Sequence, residues 1–132
     1  MTIFRTLAVL LLLAVGTAGA QEAPPASVTP LMTKALADHP GKEILMITVD
    51  YPPGAVDPVH RHNAHGFIYV LEGWIVMSVQ SGEPTRLTPG QTFYEGPNDV
   101  HTIGRNASLT KPAKFLVFLL KNSDEPVLTP TH

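Results

Sequence analysis

The sequence predicts an all-β domain, built as a sandwich or a barrel. After Gly41 the chain consists of short strand-forming segments separated by turns rich in Gly and Pro. No long segment beyond that point has helical periodicity. The apolar run Phe115 to Leu120 is too short to cross a bilayer and is typical of a strand that is buried on both faces.

The first segment, residues 1–20, has the features of a secretory signal peptide. Arg5 precedes an apolar run from Leu7 to Val15, and the segment ends in Ala18-Gly19-Ala20. We therefore expect cleavage after Ala20 and a periplasmic or secreted protein, with no membrane contact after cleavage. The alternative is a retained anchor, but the apolar run is shorter than the roughly 20 residues that a bilayer requires.

Residues 21–42 are predicted to form a leader and a short helix. Gln21 to Pro30 is rich in Pro, Ala and Thr and has little to bury, which favours a flexible segment. Leu31 to Asp38 is compatible with a short helix that ends at His39-Pro40-Gly41.

Residues 43–121 are predicted to form the β-domain, and residues 122–132 a C-terminal tail. The predicted strands are Glu43–Tyr51, Gly66–Leu71, Trp74–Gln80, Thr85–Leu87, Gln91–Glu95, Val100–Arg105 and Lys114–Lys121. Each is followed by a turn that contains Gly, Pro, Asn or Asp, as between strands of a small barrel.

Composition excludes two classes of function. The net charge is −2 and the nine basic residues are scattered, whereas nucleic-acid binding needs clustered Lys and Arg. The chain has no cysteine, so iron–sulfur clusters and thiolate zinc sites are excluded, and the fold uses no disulfide.

Three histidines are the candidate metal ligands. His60 and His62 form a His-x-His pair, whose rings lie on the same side of a strand because side chains alternate. His101 lies far downstream, so only folding brings its ring near the pair. Neutral imidazole is the commonest protein metal ligand. Two histidines exposed in a loop remain the alternative, because residues 52–58 are rich in turn formers.

The residues around these histidines resemble the conserved motifs of a known protein family. Gly54 to His62, followed by Tyr69 to Gly73, resembles the first conserved motif of the cupin superfamily, and Gly90 with His101 resembles the second. The resemblance implies a single small jelly-roll β-barrel, with His60, His62 and His101 holding a metal inside it. It covers roughly residues 43–121 and is closest to small, single-domain, exported cupins.

The sequence departs from this pattern at the fourth ligand. The motif has a Glu four or five residues after its second histidine, where this chain has Gly66 and Phe67. His65 is one candidate replacement, although its odd offset from His62 places it on the opposite face unless a turn or bulge redirects it. Glu95 is another candidate, as a metal ligand, a general base or an acceptor for a ligand histidine, and the alternative is a side chain that points to solvent.

A three-His site with open coordination positions is typical of a divalent transition metal: Fe, Mn, Ni, Zn or Cu. We expect an exported cupin that binds a small molecule, as a metal-dependent oxygenase of a small oxygen-bearing substrate with Glu95 and His65 as proton-handling groups. The alternatives are a non-catalytic cupin that binds a small ligand or sugar, and a sugar isomerase or lyase. Small cupins commonly dimerise, which predicts a homodimer.

Overall fold

Two five-stranded antiparallel sheets face each other in a computed structural model that describes residues 22–80 and 82–131. The predicted signal peptide lies outside the described residues. The strands are β1 Ser27–Ala35, β2 Lys42–Tyr51, β3 His60–Arg61, β4 Ala64–Glu72, β5 Ile75–Val79, β6 Thr85–Leu87, β7 Thr92–Glu95, β8 His101–Asn106, β9 Ala113–Asn122 and β10 Thr129–Pro130. The first sheet has the order β1-β2-β9-β4-β7, and the second has the order β10-β3-β8-β5-β6. The all-β prediction is confirmed.

Alternating side chains divide each strand between the core and the outer surface. In β4, Ala64, Gly66, Ile68 and Val70 are buried and the residues between them are exposed. In β9 the apolar run splits in the same way, with Phe115, Val117 and Leu119 in the core and the other three on the outer face. The apolar run therefore contributes both to the core and to the outer face of β9, and its unbroken apolar sequence gave no sign of this division.

The predicted helix at Leu31–Asp38 is wrong. The chain there belongs to β1, Ser27–Ala35, which pairs antiparallel with β2 at the edge of the first sheet. The segment Leu36 to Gly41 is the turn that joins the two strands. The Leu36 N–H donates to the carbonyl of Lys42 at 3.0 Å, and the Lys42 N–H donates to the carbonyl of His39 at 3.0 Å. The segment before this turn forms a strand despite its weak helical preference, because the edge of β2 offers a row of backbone donors and acceptors with which it pairs.

Both ends of the described chain extend the sheets beyond residues 43–121. β1 adds a strand to the first sheet, and β10 pairs with β3 in the second sheet. Ala26 and Val28 at one end, and Val127 and Leu128 at the other, line the interior cavity. The predicted leader and tail are therefore part of the walls around the candidate site.

The crossing from β3 to β4 takes place at Asn63. Its backbone has a φ of 47°, in the left-handed region that Asn tolerates better than most residues. The chain changes from the second sheet to the first at this point. In the part of the chain that the structure describes, no helix is long and apolar enough to span a membrane.

Candidate metal centre

Three imidazole rings meet between the two sheets, where they line the interior cavity. His60 on β3 lies directly opposite His101 on β8 in the antiparallel ladder, and His62 follows two residues after His60. One ring nitrogen of each lies within 4.8 Å of those of the other two. The strand pairing thus supplies the long-range contact that the His-x-His spacing alone could not.

Hydrogen bonds on the far side of each ring fix which nitrogen is free. His60 Nδ1 donates to the carbonyl of Pro58 at 2.7 Å, and His62 Nδ1 donates to the carbonyl of Val127 at 2.6 Å. His101 Nε2 donates to the thioether of Met77 at 3.1 Å. Because these partners only accept, the opposite nitrogen of each neutral ring keeps its lone pair and faces the centre.

The spacing of the free nitrogens suits a transition-metal ion. His60 Nε2 lies 3.1 Å from His62 Nε2 and 3.4 Å from His101 Nδ1. Two nitrogens that bind one ion at about 2.0–2.1 Å, with angles of about 90–110°, lie roughly 2.8–3.4 Å apart. When the rings are neutral, lone pairs facing one another at these distances repel, and a metal ion between them removes that repulsion, so the donor set fits a divalent metal.

Glu95 completes the ring of polar groups. Its side chain is 5% exposed, its Oε1 lies 3.1 Å from His62 Nε2, and its Oε2 lies 3.5 Å from His101 Nδ1. β7 ends at Glu95, so alternation along this strand directs Glu95 and Phe93 inward and leaves Tyr94 outside. The structure therefore brings Glu95 to the three histidines, in contact with two of them.

The titration of these groups reflects their mutual contact. Burial opposes ionisation of Glu95, but the hydrogen bond from His62 and the nearby imidazoles outweigh it and lower the pKa of the carboxyl. Burial also opposes protonation of His62, but the hydrogen bond and charge of Glu95 outweigh it and raise the pKa of that ring. For His101 burial dominates and lowers the pKa, which keeps the ring neutral and available as a ligand.

The structure does not bring His65 to the cluster. Its side chain is exposed on the outer face of β4, and its ring Nδ1 lies 2.8 Å from the hydroxyl of Tyr94. The turn at Asn63 changes sheets but leaves the alternation of β4 intact, so the odd offset from His62 decides the direction. Arg61, between His60 and His62, is exposed as the same rule predicts.

A cavity of about 580 Å³, including its open mouth, adjoins the cluster. Its walls are largely apolar, with Ile47, Val49, Ile68, Phe115, Val117, Val127 and Leu128 among the lining residues. Asp57, which belongs to the turn-rich segment 52–58, is also in the wall. It accepts a short hydrogen bond from Tyr51, and both residues lie near His101. The only sign of this in the sequence is that Asp57 lies inside the Gly54–His62 motif.

Two further contributors were missed. Met77 accepts from His101, and the backbone of Val127 accepts from His62. Nothing in the residue type of either identifies such a role, because one acts through a thioether in the core and the other through a carbonyl. The first contact depends on the pairing of β5 with β8, and the second on the return of the C-terminal tail.

Comparison with known proteins agrees with this architecture. No curated protein matches the chain. Among solved structures, a cupin 2 domain-containing protein from Halorhodospira halophila is 20% identical with a TM-score of 0.65, covering 87% of this chain and 76% of that one. The dimethylsulfoniopropionate (DMSP) lyase DddQ from Ruegeria pomeroyi DSS-3 is 24% identical with a TM-score of 0.58, covering 67% of this chain and 43% of that one.

An oxalate oxidase in complex with the substrate analogue glycolate is 24% identical with a TM-score of 0.60, and the match covers 79% of this chain and 54% of the oxidase. The chain thus spans only about half the length of these two enzymes, and the likeness concerns the fold. The cupin-domain family profile matches residues 47–119, which is more than half of the sequence and includes all three clustered histidines. The chain therefore belongs to the cupin family.

Proposed function

We propose that this protein is a metal-dependent cupin that holds a divalent transition metal on His60, His62 and His101 and binds a small oxygen-bearing molecule in the barrel. One observation carries the proposal. Each of the three rings has its outer nitrogen engaged and its inner nitrogen directed at a common centre, beside an open cavity. Histidine ligands oriented in this way are typical of built metal sites.

The cavity wall supports a substrate that is small and largely apolar outside its oxygen-bearing group. Hydrocarbon side chains form most of the wall, and the acidic residues in it are Asp57 and Glu95. No Lys or Arg lies among the described residues that line it. A phosphate or a dicarboxylate would therefore meet no cationic side chain, so the proposal favours a neutral molecule or a monoanion.

A divalent metal supplies Lewis-acid polarisation of the substrate and, as Fe(II), reaction with O₂, so an oxygenase is the activity that we propose. The residues of the chain have separate tasks. The apolar walls exclude water, and the three imidazoles orient the metal-facing group of the substrate. We further propose that the protein acts after export, in the periplasm or outside the cell, where cleavage after Ala20 would leave β1 intact.

A second candidate function is binding without turnover. Both oxygens of Glu95 face ring nitrogens, and Asp57 is engaged by Tyr51. Neither lining carboxylate therefore stands free to take a proton from a substrate. This arrangement favours a cupin that captures a small ligand or sugar, and it weighs against a lyase or isomerase that needs a free base.

Metal content tests the site itself. Protein purified from its native compartment should contain one transition-metal ion per chain by elemental analysis, and the variant His60→Ala/His62→Ala should contain none. His65→Ala is the matched control, because His65 is a histidine on the outer face and should leave the content unchanged. A wild-type protein without metal, or a double variant that retains it, would overturn the proposal.

Turnover is tested separately, with the Fe(II)-loaded protein and a panel of small monoacids, alcohols and phenols. Consumption of O₂ with formation of an oxidised product supports the oxygenase. A new product without O₂ consumption indicates an isomerase or lyase. A rise in Tm with no product indicates binding alone.

A further inference from the structure

We propose that Glu95 is the fourth ligand of the metal site, and that Gly66 is a glycine in order to make room for it. The carboxylate that the cupin motif carries on the strand after its histidine pair is then supplied from the neighbouring strand β7. This inference rests on the proposed function, since it assigns a ligand to the same metal. Gly66 lacks the carboxylate of the motif, and Glu95 would replace that carboxylate.

The sheet register places the two positions in the same part of the barrel. Gly66 on β4 and Glu95 on β7 are directly paired across the antiparallel ladder, and both are buried on the inward face. Side chains at directly opposed positions start about 4.5–5.5 Å apart and project in the same direction. A carboxylate carried by either strand can therefore reach the space beside the imidazoles.

The space above Gly66 is filled by the Glu95 side chain. A Cβ added at Gly66 would lie 2.7 Å from Cγ and 2.9 Å from Oε1 of Glu95, both closer than real Cβ contacts. Gly66 is not among the glycines with positive φ, so its backbone conformation does not require glycine. A larger residue at this position would instead displace the Glu95 side chain from its place beside the histidines, so glycine leaves room for it.

The orientation of the Glu95 carboxylate favours a role as metal ligand over a role as general base. Oε1 lies 3.1 Å from His62 Nε2 and Oε2 lies 3.5 Å from His101 Nδ1, and these are the nitrogens that face the common centre. A base would direct at least one oxygen toward the substrate space. Glu95 is also buried. The ammonium group of Lys121, a buried cation, forms its ion pair with Glu43 at 2.8 Å. A divalent cation would neutralise the buried charge that Glu95 carries.

The test uses Zn(II) as the probe and measures its affinity by competition with a chromogenic chelator. Glu95→Gln should bind Zn(II) at least 10- to 100-fold more weakly than the wild type, a loss at least as large as that of an outer hydrogen-bond partner. The exchanged variant Gly66→Glu/Glu95→Gly moves the carboxylate to β4 and should recover most of that loss. Glu72→Gln, an exposed glutamate also on β4, is the control and should match the wild type.

A crystal structure of the Zn(II)-loaded wild type decides the question even if a variant fails to fold. A Glu95 oxygen at about 2.0–2.2 Å from the ion supports the proposal, and one beyond the coordination shell overturns it. Unchanged affinity in a folded Glu95→Gln also overturns it, as does a folded exchanged variant with no recovery. If the wild type binds Zn(II) and only these results are negative, the proposed function stands; a wild type that takes up no metal removes both.

Discussion

Tyr51 donates a short hydrogen bond to Asp57, which lines the cavity. The phenol is 1% exposed, and its ring packs edge-on against Phe115 with centroids 4.9 Å apart. Burial raises the pKa of Tyr51 well above its usual range, and the charge of Asp57 raises it further, so the hydroxyl remains a donor. Gly104 allows the pair to approach His101, because a Cβ there would lie 3.1 Å from both oxygens and 3.0 Å from the ring.

Tyr51→Phe should therefore destabilise the fold while keeping the aromatic packing. Asp57 loses the donor that compensates its placement in an apolar wall, which costs about 1–3 kcal/mol in the free energy of unfolding. Tyr94→Phe is the matched control, because that hydroxyl contacts His65 on the exposed outer face, and we expect less than about 0.5 kcal/mol. Urea denaturation of both variants measures the difference, and equal losses would contradict the role given to the buried pair.

The C-terminal tail should be needed for metal affinity. Val127 accepts from His62 through its carbonyl, and Pro130 and Thr129 pair with His60 and Arg61. A chain that ends after Pro126 loses these contacts, so both ligand rings lose orientation, and Zn(II) affinity should fall about 10- to 100-fold.

The control for this truncation is Val127→Ala. It removes the apolar side chain but preserves the carbonyl, so the affinity should stay within about twofold of the wild type. Circular dichroism of the truncated protein should still show β-structure, because β10 contributes only two residues to the second sheet. A truncated, folded protein with wild-type affinity would show that the tail does not orient His62.

The cluster of three histidines and most strand bounds could be predicted from the sequence, because both follow from short-range rules. Alternation placed His60 and His62 together, and the motif around Gly90 identified His101. The candidate replacement ligand His65 lies instead on the outer face of β4. The partnership of Gly66 with Glu95 could not be predicted, since it depends on the register between β4 and β7. That register is set by the packing of whole sheets.

The strand at the N-terminal end of the described chain could not be predicted either, because it depends on long-range pairing. Leu31 to Ala35 has residues that tolerate helix, and local propensity gave no reason to expect a strand. Its β conformation comes from pairing with β2, whose free edge exists only in the assembled sheet. The same long-range dependence hid the contribution of the tail to His62.

Metal binding should strengthen as pH rises through the titration of His62. The hydrogen bond and charge of Glu95 raise the pKa of this ring, so His62 keeps its proton to a higher pH than a free imidazole does, and that proton must leave before the nitrogen can bind an ion. His101, whose pKa is lowered by burial, is already uncharged near neutral pH and releases little. The rise in Tm on adding Zn(II) should therefore be small at about pH 5.5 and larger at about pH 7.5.

Calorimetry in two buffers of different ionisation enthalpy measures the proton count for this prediction. We expect net proton release on Zn(II) binding near neutral pH, and the release should shift to lower pH in Glu95→Gln because the group that raises the His62 pKa is weakened. His65→Ala should leave the profile unchanged, since that ring is outside the cluster. A pH-independent Zn(II) affinity between these values would contradict the assignment.

The outer face of the first sheet should mediate homodimer formation. A row of apolar side chains crosses all five strands at one level of the register: Tyr94, Phe67, Phe118, Met46 and Met32. Phe67 is 49% exposed and Met32 is 47% exposed. A continuous apolar face of this kind is unusual on a monomer, and a flat sheet face can pack against its own copy about a twofold axis.

Phe67→Lys places a charge at the centre of this face and should convert a dimer into a monomer while leaving the metal content intact. Leu109→Lys is the control, because Leu109 is an apolar residue with 84% exposure in the loop between β8 and β9, and it should leave the dimer unchanged. Sedimentation velocity gives the mass of each form. Burying an unpaired lysine at this face opposes association. A wild type that sediments as a monomer, or a Phe67→Lys variant that remains dimeric, would therefore exclude this face as the interface.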